Sequence, residues 1–206
     1  VLIISPEHWD QHFVSKHHYA MTLARRGARV LFVNPPDDAR DDMVLRELED
    51  CPGLAVVDGP PVARGLRFYP SALRQRLERR WLERLERIAG HPVGTVWSFE
   101  NSRFFDMGFA GGRLKIYHQV DLNQSFNPEN AARTADICFC TTDFIRDRLE
   151  PHGRAVHKIH HGLAEVMTPG VLAETQSQRF DGVGVNAVYV GNLEMTYLDV
   201  ELLAEA

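Results

Sequence analysis

Short apolar runs alternate with amphipathic helical segments over most of the chain, and this alternation restricts the fold more than any other feature. Residues 1–4, Val-Leu-Ile-Ile, form a continuous apolar run of the kind found in buried parallel strands. A helix is predicted over residues 13–26, stopped by Gly27, and a second strand over residues 28–33. A strand-helix-strand unit of this size predicts a right-handed crossover between parallel strands.

The same alternation continues through residue 159. Five further strands are predicted at residues 54–57, 95–99, 114–118, 137–141 and 155–159. Four further helices are predicted at residues 43–48, 71–89, 127–135 and 142–150. This pattern predicts an α/β fold with a Rossmann-like, doubly wound parallel sheet.

The end of the sequence has a different character. Residues 1–167 are predicted to form the first Rossmann-like domain, and the polar, glycine-bearing residues 168–185 to form a linker. Residues 186–206 contain an apolar run, a glycine turn and a helical segment, which predict the first strand-turn-helix of a second Rossmann-like domain. With no initiator Met and no capping residue after the last helix, we expect the sequence to be part of a longer chain.

Composition excludes some classes of protein. At 206 residues with 44% hydrophobic residues, the chain can bury a full core. Its net charge of −5 argues against nucleic acid as a partner, and no apolar run is long enough to cross a bilayer, so we expect a cytoplasmic protein. The three cysteines, Cys51, Cys138 and Cys140, are expected to be reduced and buried.

Polar side chains follow two of the predicted strands. His118 ends the strand at residues 114–118, and Asp121 follows it in a polar turn. Glu100 and Asn101 come directly after the strand at residues 95–99. Open parallel sheets bind ligands beyond the carboxyl ends of their strands, so we expect these side chains to face a substrate cleft, with helix capping as the alternative for Asn101.

The start of the first helix belongs to the same edge of the predicted sheet. Lys16 and His17 lie there, and we expect them to meet an anionic group of a substrate. His8 and His12 have the spacing of a helical pair of metal ligands, but no cysteine or carboxylate pattern completes a site. No metal or other cofactor is therefore expected.

Four segments together resemble a known family. They are Ala-Arg-Arg-Gly-Ala-Arg-Val-Leu-Phe-Val-Asn-Pro-Pro at residues 24–36, Ala-Asp-Ile-Cys-Phe-Cys-Thr-Thr at 135–142, Ile-His-His-Gly-Leu at 159–163, and Val-Tyr-Val-Gly-Asn-Leu at 188–193. In this order and spacing they resemble GT-B glycosyltransferases, in particular the retaining glycosyltransferase family 4. The resemblance implies two Rossmann-like domains that face each other across a cleft, with this chain as the amino-terminal, acceptor-side domain and the start of the donor-binding domain.

The resemblance also implies roles for individual residues. His118 matches the family histidine that lies near the transferred sugar, and Asp121 follows it at a position suited to acceptor hydroxyls. His161 and Gly162 match the small turn before the inter-domain link, on the substrate side of the cleft. We therefore expect His118 to be the catalytic residue among them.

Donor binding is implied for the second domain. Gly191 and Asn192 match the loop whose backbone N–H groups approach the diphosphate of the nucleotide sugar, where glycine permits close contact. The first loop, at residues 5–9, departs from the family pattern because it contains no glycine. The paired glutamates and the diphosphate-binding basic residues of the family would lie beyond Ala206, so this chain is not expected to catalyse transfer alone.

The implied reaction is transfer of a sugar from a nucleotide-sugar donor to a surface-polysaccharide or glycolipid acceptor. An alternative enzyme of the same architecture is a sugar-nucleotide epimerase, which would bind a donor but no acceptor. A non-catalytic carbohydrate-binding or scaffold module is the alternative from a different class.

The longest predicted helix, residues 71–89, is basic and amphipathic, with six arginines and three glutamates. Its apolar stripe is predicted to consist of Leu73, Leu77, Trp81, Leu85 and Ile88. Two interpretations remain open. Residues 71–90 make a peripheral contact with the inner face of a membrane, or the helix docks on the sheet with a solvated charged face.

Overall fold

The computed structural model describes residues 1–100, 102–104, 106–122 and 126–162, all within one compact unit, Val1–Ala164. The strands are β1 Leu2–Ile4, β2 Val30–Val33, β3 Val44–Glu47, β4 Leu54–Asp58, β5 Thr95–Ser98, β6 Leu114–Gln119, β7 Ile137–Cys140 and β8 Val156–Lys158. The helices are α1 Ser15–Arg25, α2 Ser71–Ala89, α3 Pro128–Thr134 and α4 Asp143–Leu149, with 3₁₀ turns at Leu66–Phe68 and Met107–Ala110. The predicted linker and second domain lie outside the described residues.

The eight strands form one sheet in the order β3-β4-β2-β1-β5-β6-β7-β8. All neighbours are parallel except β3, which runs antiparallel to β4 at the edge. From β1 the chain builds outward through β2 and β4, and it then returns to the other side of β1 to build β5 to β8. This confirms the predicted doubly wound α/β sheet and puts its topological switch point between β1 and β5.

The strands β1, β2 and β4 are buried on both faces of the sheet, which is why they are apolar without alternation. In β2, Leu31 and Val33 belong to the core cluster that includes Leu82 and Leu85 of α2. The intervening Phe32 belongs to the opposite cluster, under α1. Because alternate side chains of a strand point to opposite faces of the sheet, one apolar run contributes to two separate cores.

The three cysteines are buried and free, as predicted. Cys138 and Cys140 sit on the same face of β7, within the larger core cluster. Burial raises the pKa of the Cys138 thiol to about 12, so this thiol stays protonated and unreactive at neutral pH.

The helix predicted at residues 43–48 is wrong, because residues 44–47 form the edge strand β3. This strand pairs with β4 in the register Val44 to Asp58 and Glu47 to Ala55. Leu45 packs against the core, whereas most of the strand is exposed. Helix propensity of Leu, Arg and Glu is a weak preference, and pairing with a strand that follows later in the chain overrides it.

The predicted bounds of α2 are confirmed, but its predicted apolar stripe is wrong at both ends. Leu73 and Ile88 are exposed, and the buried side chains are Arg74, Glu78, Leu82 and Leu85. The buried charges face one another, with Arg74 Nε 3.7 Å from Glu78 Oε1 and Arg74 Nη2 3.5 Å from Asp106 Oδ2. Opposite charges thus allow polar side chains to occupy the docked face of the helix.

α2 docks on the sheet, as one of the two interpretations predicted. Trp81 packs on Phe104 with ring centroids 5.1 Å apart, and Leu82 and Leu85 lie in the larger core cluster. Among the helices that the structure describes, none combines the length and the apolarity needed to span a bilayer.

Candidate functional site

The candidate site lies where β1, β5 and β6 end, next to the switch point of the sheet. The loop after β1 brings Glu7 to the start of α1, where Lys16 lies in the first turn. Phe99 follows β5, and His118 is the penultimate residue of β6. Doubly wound sheets bind ligands at this edge because helices cover both faces and leave it open.

Lys16 is a buried cation held by an ion pair. Its side chain is only 2% exposed, and its ammonium group contacts the Glu7 carboxylate. The same ammonium nitrogen lies 5.7 Å from the centroid of the Phe99 ring. Together, the carboxylate and the aromatic face stabilise a positive charge that burial alone would disfavour.

A cavity of about 280 Å³ opens beside this ion pair. Glu7, Lys16, Asp121 and His161 contribute to its wall. Asp121 and His161 are exposed, and Gly162 follows in open space. The structure thus brings Lys16, Asp121 and His161, which are far apart in the sequence, to one cavity at the predicted edge.

His118 is buried among aromatic rings next to Phe99, which Lys16 also faces, and it is not among the residues that line the cavity. It is 1% exposed, and its ring centroid lies 4.8 Å from that of Phe99, 5.8 Å from that of Phe139 and 6.0 Å from that of Trp97. Neither ring nitrogen has a hydrogen-bond partner among the residues that the structure describes. Buried polar groups are nearly always hydrogen-bonded, so two unpaired nitrogens are a feature that a bound ligand would explain.

Burial is also the main cause of the low basicity of His118. Burial, together with the neighbouring Lys16 and His161, lowers the pKa of the imidazole to about 4. The ring is therefore neutral at pH 7. A neutral imidazole offers one N–H donor and one acceptor nitrogen, and no fixed charge.

His17 does not belong to the cavity, which contradicts the expectation that it binds a substrate anion. Its ring is fully buried and stacks between Phe13 and Phe32, with centroid distances of 4.8 and 4.9 Å. Nδ1 accepts a hydrogen bond from the Val14 N–H at 3.1 Å, and Nε2 lies 3.2 Å from the His8 carbonyl oxygen, to which it donates. Both nitrogens are used in holding the start of α1 to the preceding loop.

Glu100 is engaged in a buried ion pair. Its Oε1 lies 2.9 Å from Arg103 Nε, and its Oε2 accepts a hydrogen bond from the Ser102 hydroxyl at 2.6 Å. These partners reduce the capacity of Glu100 to bind an acceptor hydroxyl, so the predicted substrate contact competes with a structural role. Asn101 lies outside the described residues, as do Gly191 and Asn192, and their predicted roles stay predictions.

Arg103 is a residue at this edge that sequence reasoning missed. Its guanidinium donates to the carbonyl oxygens of Ser5, at 3.0 Å, and Asn34, at 2.8 Å. It therefore ties the exit of β5 to the loops after β1 and β2. The only signal in the sequence was its position three residues after Glu100, which gave no indication of its distant partners.

A second and larger cleft, of about 790 Å³, lies over the ends of β2, β4 and β5. Its wall is mainly apolar and includes Pro35, Pro61, Leu66 and Phe68. Glu100 and Arg103 also line it. A cleft of this size and composition fits the rule for small-molecule sites, in which apolar walls surround a few polar groups.

No protein-family model matches this chain, and no curated protein sequence matches it. Among solved structures, it is similar to sucrose-phosphate synthase from Thermosynechococcus elongatus, with 12% sequence identity and a TM-score of 0.48. The similarity covers 79% of this chain and 88% of that one. At this level of similarity, function has to be argued from the site itself.

Proposed function

We propose that this chain is the acceptor-side domain of a GT-B glycosyltransferase that transfers a sugar from a nucleotide-sugar donor to a surface-polysaccharide or glycolipid acceptor. The observation that carries the proposal is His118, a neutral, buried imidazole at the end of β6 whose two nitrogens find no hydrogen-bond partner in the described part of the chain. The doubly wound sheet and the four sequence segments that resemble glycosyltransferase family 4 support the same conclusion.

The chemistry of glycosyl transfer fits these groups. Its transition state has oxocarbenium character, with negative charge growing on the departing diphosphate. A neutral imidazole at His118 would hydrogen-bond a sugar hydroxyl near the reacting carbon without adding positive charge beside the oxocarbenium. The unpaired nitrogens are thus suited to the sugar rather than to the diphosphate.

The polar groups that line the small cavity would bind by hydrogen bonds. Asp121 offers carboxylate oxygens to acceptor hydroxyls, and His161 offers a second polar contact from the end of β8. The Lys16 ammonium is already paired with Glu7. Because the carboxylate partly neutralises its positive charge, Lys16 would attract an anionic group only weakly. Neutralisation of the diphosphate would then fall mainly to the donor-binding domain, where Gly191 and Asn192 are the proposed contacts.

The larger cleft would hold the body of the acceptor. Its apolar walls suit a sugar ring face or a lipid-linked carrier better than a highly charged ligand. The Glu100–Arg103 pair, one of several polar groups on its wall, would orient such an acceptor.

The test is to incubate the natural full-length protein with a panel of uridine-, guanosine- and adenosine-diphosphate sugars and glycolipid acceptors. Transfer of sugar to an acceptor, with release of the nucleoside diphosphate, is the expected result. Conversion of the donor to its epimer without any acceptor would favour the epimerase alternative. Binding of sugars without any turnover would contradict the enzyme and favour a carbohydrate-binding module.

A further inference from the structure

Exposed apolar side chains are concentrated where the 3₁₀ turn Leu66–Phe68 leads into α2. Phe68 is 77% exposed, and Tyr69 and Leu73 are also exposed. Eleven large apolar side chains are exposed in the part of the chain that the structure describes, and these three fall within six residues. We name the surface formed by Arg64, Arg67, Phe68, Tyr69, Leu73 and Arg76 the aromatic-arginine corner.

The corner is cationic in an acidic protein. Residues 59–77 contain four arginines and no acidic residue, whereas the whole chain has a net charge of −5. Arg74 is buried in its own ion pairs, but Arg64, Arg67 and Arg76 are exposed. Arg64 approaches Asp38 only to 4.0 Å, with both side chains largely in solvent, so this pair neutralises little of the charge.

Aromatic and cationic groups are interleaved at the corner. The Arg67 guanidinium lies over the Phe68 ring, 4.8 Å from its centroid. Leu73 and Arg76 are three positions apart on α2 and therefore share one helix face. Proteins that lie on a bilayer typically place aromatic rings in the headgroup region. Arginines beside those rings contact the lipid phosphates.

The corner also forms part of the wall of the large cleft, through Arg67 and Phe68. α2 begins at the edge of the sheet where the parallel strands end, so the corner and the cleft share that edge. A flat surface placed against the corner would therefore lie at the mouth of the cleft.

The predicted membrane contact through the whole of residues 71–90 does not fit this geometry. The apolar side chains of the second half of α2, Leu82 and Leu85, are enclosed in the core and cannot enter a bilayer. In that half, Ile88 is the exposed large apolar side chain, whereas the first turn of α2 and the residues before it present three such side chains next to exposed arginines.

We propose that the aromatic-arginine corner docks this domain on an anionic lipid bilayer, with Phe68 and Tyr69 in the headgroup layer and the arginines on lipid phosphates. Docking in this way does not depend on the proposed transferase activity. The consequence that a lipid-linked acceptor enters the cleft from the bilayer does rest on the proposed function. A binding assay without nucleotide sugar therefore tests the docking separately.

The experiment is sedimentation of the 206-residue chain with vesicles of phosphatidylcholine, with and without roughly 30 mol% phosphatidylglycerol. We expect binding to the anionic vesicles, weaker binding to the neutral ones, and weakening by salt. The double variant Phe68→Ala/Tyr69→Ala should reduce affinity about tenfold or more, because two rings no longer leave water. Arg67→Glu/Arg76→Glu should cause a loss of similar size on anionic vesicles only.

Two single-substitution controls come from other parts of the surface, and each is to be compared with half of the change made in the corresponding corner variant. Phe144→Ala removes a ring that is 67% exposed on α4, and Arg26→Glu reverses an exposed charge at the end of α1, at the opposite edge of the sheet. Both should bind like the unchanged chain. No binding of the unchanged chain to anionic vesicles would overturn the proposal, as would equal losses in the corner variants and the controls.

Discussion

His17 and His118 are two buried imidazoles on the same side of the sheet, and they differ in one respect. Each lies among aromatic rings, and burial lowers the pKa of each. His17 uses both nitrogens in hydrogen bonds to the backbone, whereas His118 uses neither with any residue of the described ranges. Burial and aromatic neighbours are therefore common to a structural histidine and to a candidate functional one.

The difference teaches which observation carries functional information. An imidazole that is desolvated but fully bonded stabilises the fold and has no capacity left for a ligand. An imidazole that is desolvated without bonds costs stability, and such a cost persists where a ligand supplies the missing partners. Substituting each histidine, and measuring how the free energy of unfolding depends on pH, should separate these two cases.

The largest expected effect is a loss of stability in acid through His118. Its pKa is about 4 in the folded chain, against an ordinary value of 6.5 that the unfolded chain should show. Between these values the unfolded state binds more protons, so stability is fully present above about pH 6.5 and falls as the pH approaches about 4. The total loss is on the order of 3 kcal/mol.

Urea unfolding between about pH 7 and about pH 4.5 measures this loss, and His118→Leu should show a smaller pH dependence than the unchanged chain. The NMR signal of the His118 ring should titrate with a midpoint near pH 4. A midpoint near the ordinary value, or the same pH dependence in both proteins, would contradict the desolvated environment.

The next effect is expected at His17. His17→Leu removes the acceptor of the Val14 N–H and the donor to the His8 carbonyl, and both groups are then left without these partners. The free energy of unfolding should fall by about 2 kcal/mol at neutral pH, measured by urea unfolding. The matched control is His12→Leu at an exposed position, which should change it by less than about 0.5 kcal/mol. Equal stabilities of the two variants would show that the bonds of His17 contribute nothing.

Substitution of His118 is expected to lower turnover. This effect is smaller in free energy than the two before it, but it decides whether His118 takes part in the reaction. His118→Ala in the natural full-length protein should lower kcat about tenfold or more, which corresponds to at least about 1.4 kcal/mol of transition-state stabilisation. The control is His157→Ala, an exposed histidine on the edge strand β8. Unchanged kcat in His118→Ala would remove this residue from the site, whatever its hydrogen bonding.

Much of the fold could be predicted because its signals are local. Strands with both faces buried appear as continuous apolar runs, and α2 is a long amphipathic segment closed by Gly90. His118 could be chosen as a candidate for the same reason, since it ends an apolar run immediately before a polar turn, and its role stays a prediction. The resemblance to a known family rests on the order of four sequence segments, and it suggested a role for this histidine.

The errors have non-local causes. β3 is a strand because it pairs with β4, and Arg74 is buried because Asp106, 32 positions later, faces it. Arg103 acquires its role from carbonyl oxygens 69 and 98 positions away. His17 was assigned to the cleft because it follows Lys16, but adjacent helical positions point in different directions, so only one of the two reaches the cavity.

The smallest expected effect is also the sharpest test of the comparison, because the same substitution should have opposite signs at the two histidines. His118→Leu replaces a buried ring that has no hydrogen bond to the described residues with an apolar side chain. It should therefore raise the free energy of unfolding at pH 7 by up to about 1 kcal/mol, whereas His17→Leu lowers it. Urea unfolding of the two variants under identical conditions measures the difference. If His118→Leu were as destabilising as His17→Leu, the imidazole of His118 would already have a partner in the folded chain, and it would have no unused capacity to offer a sugar.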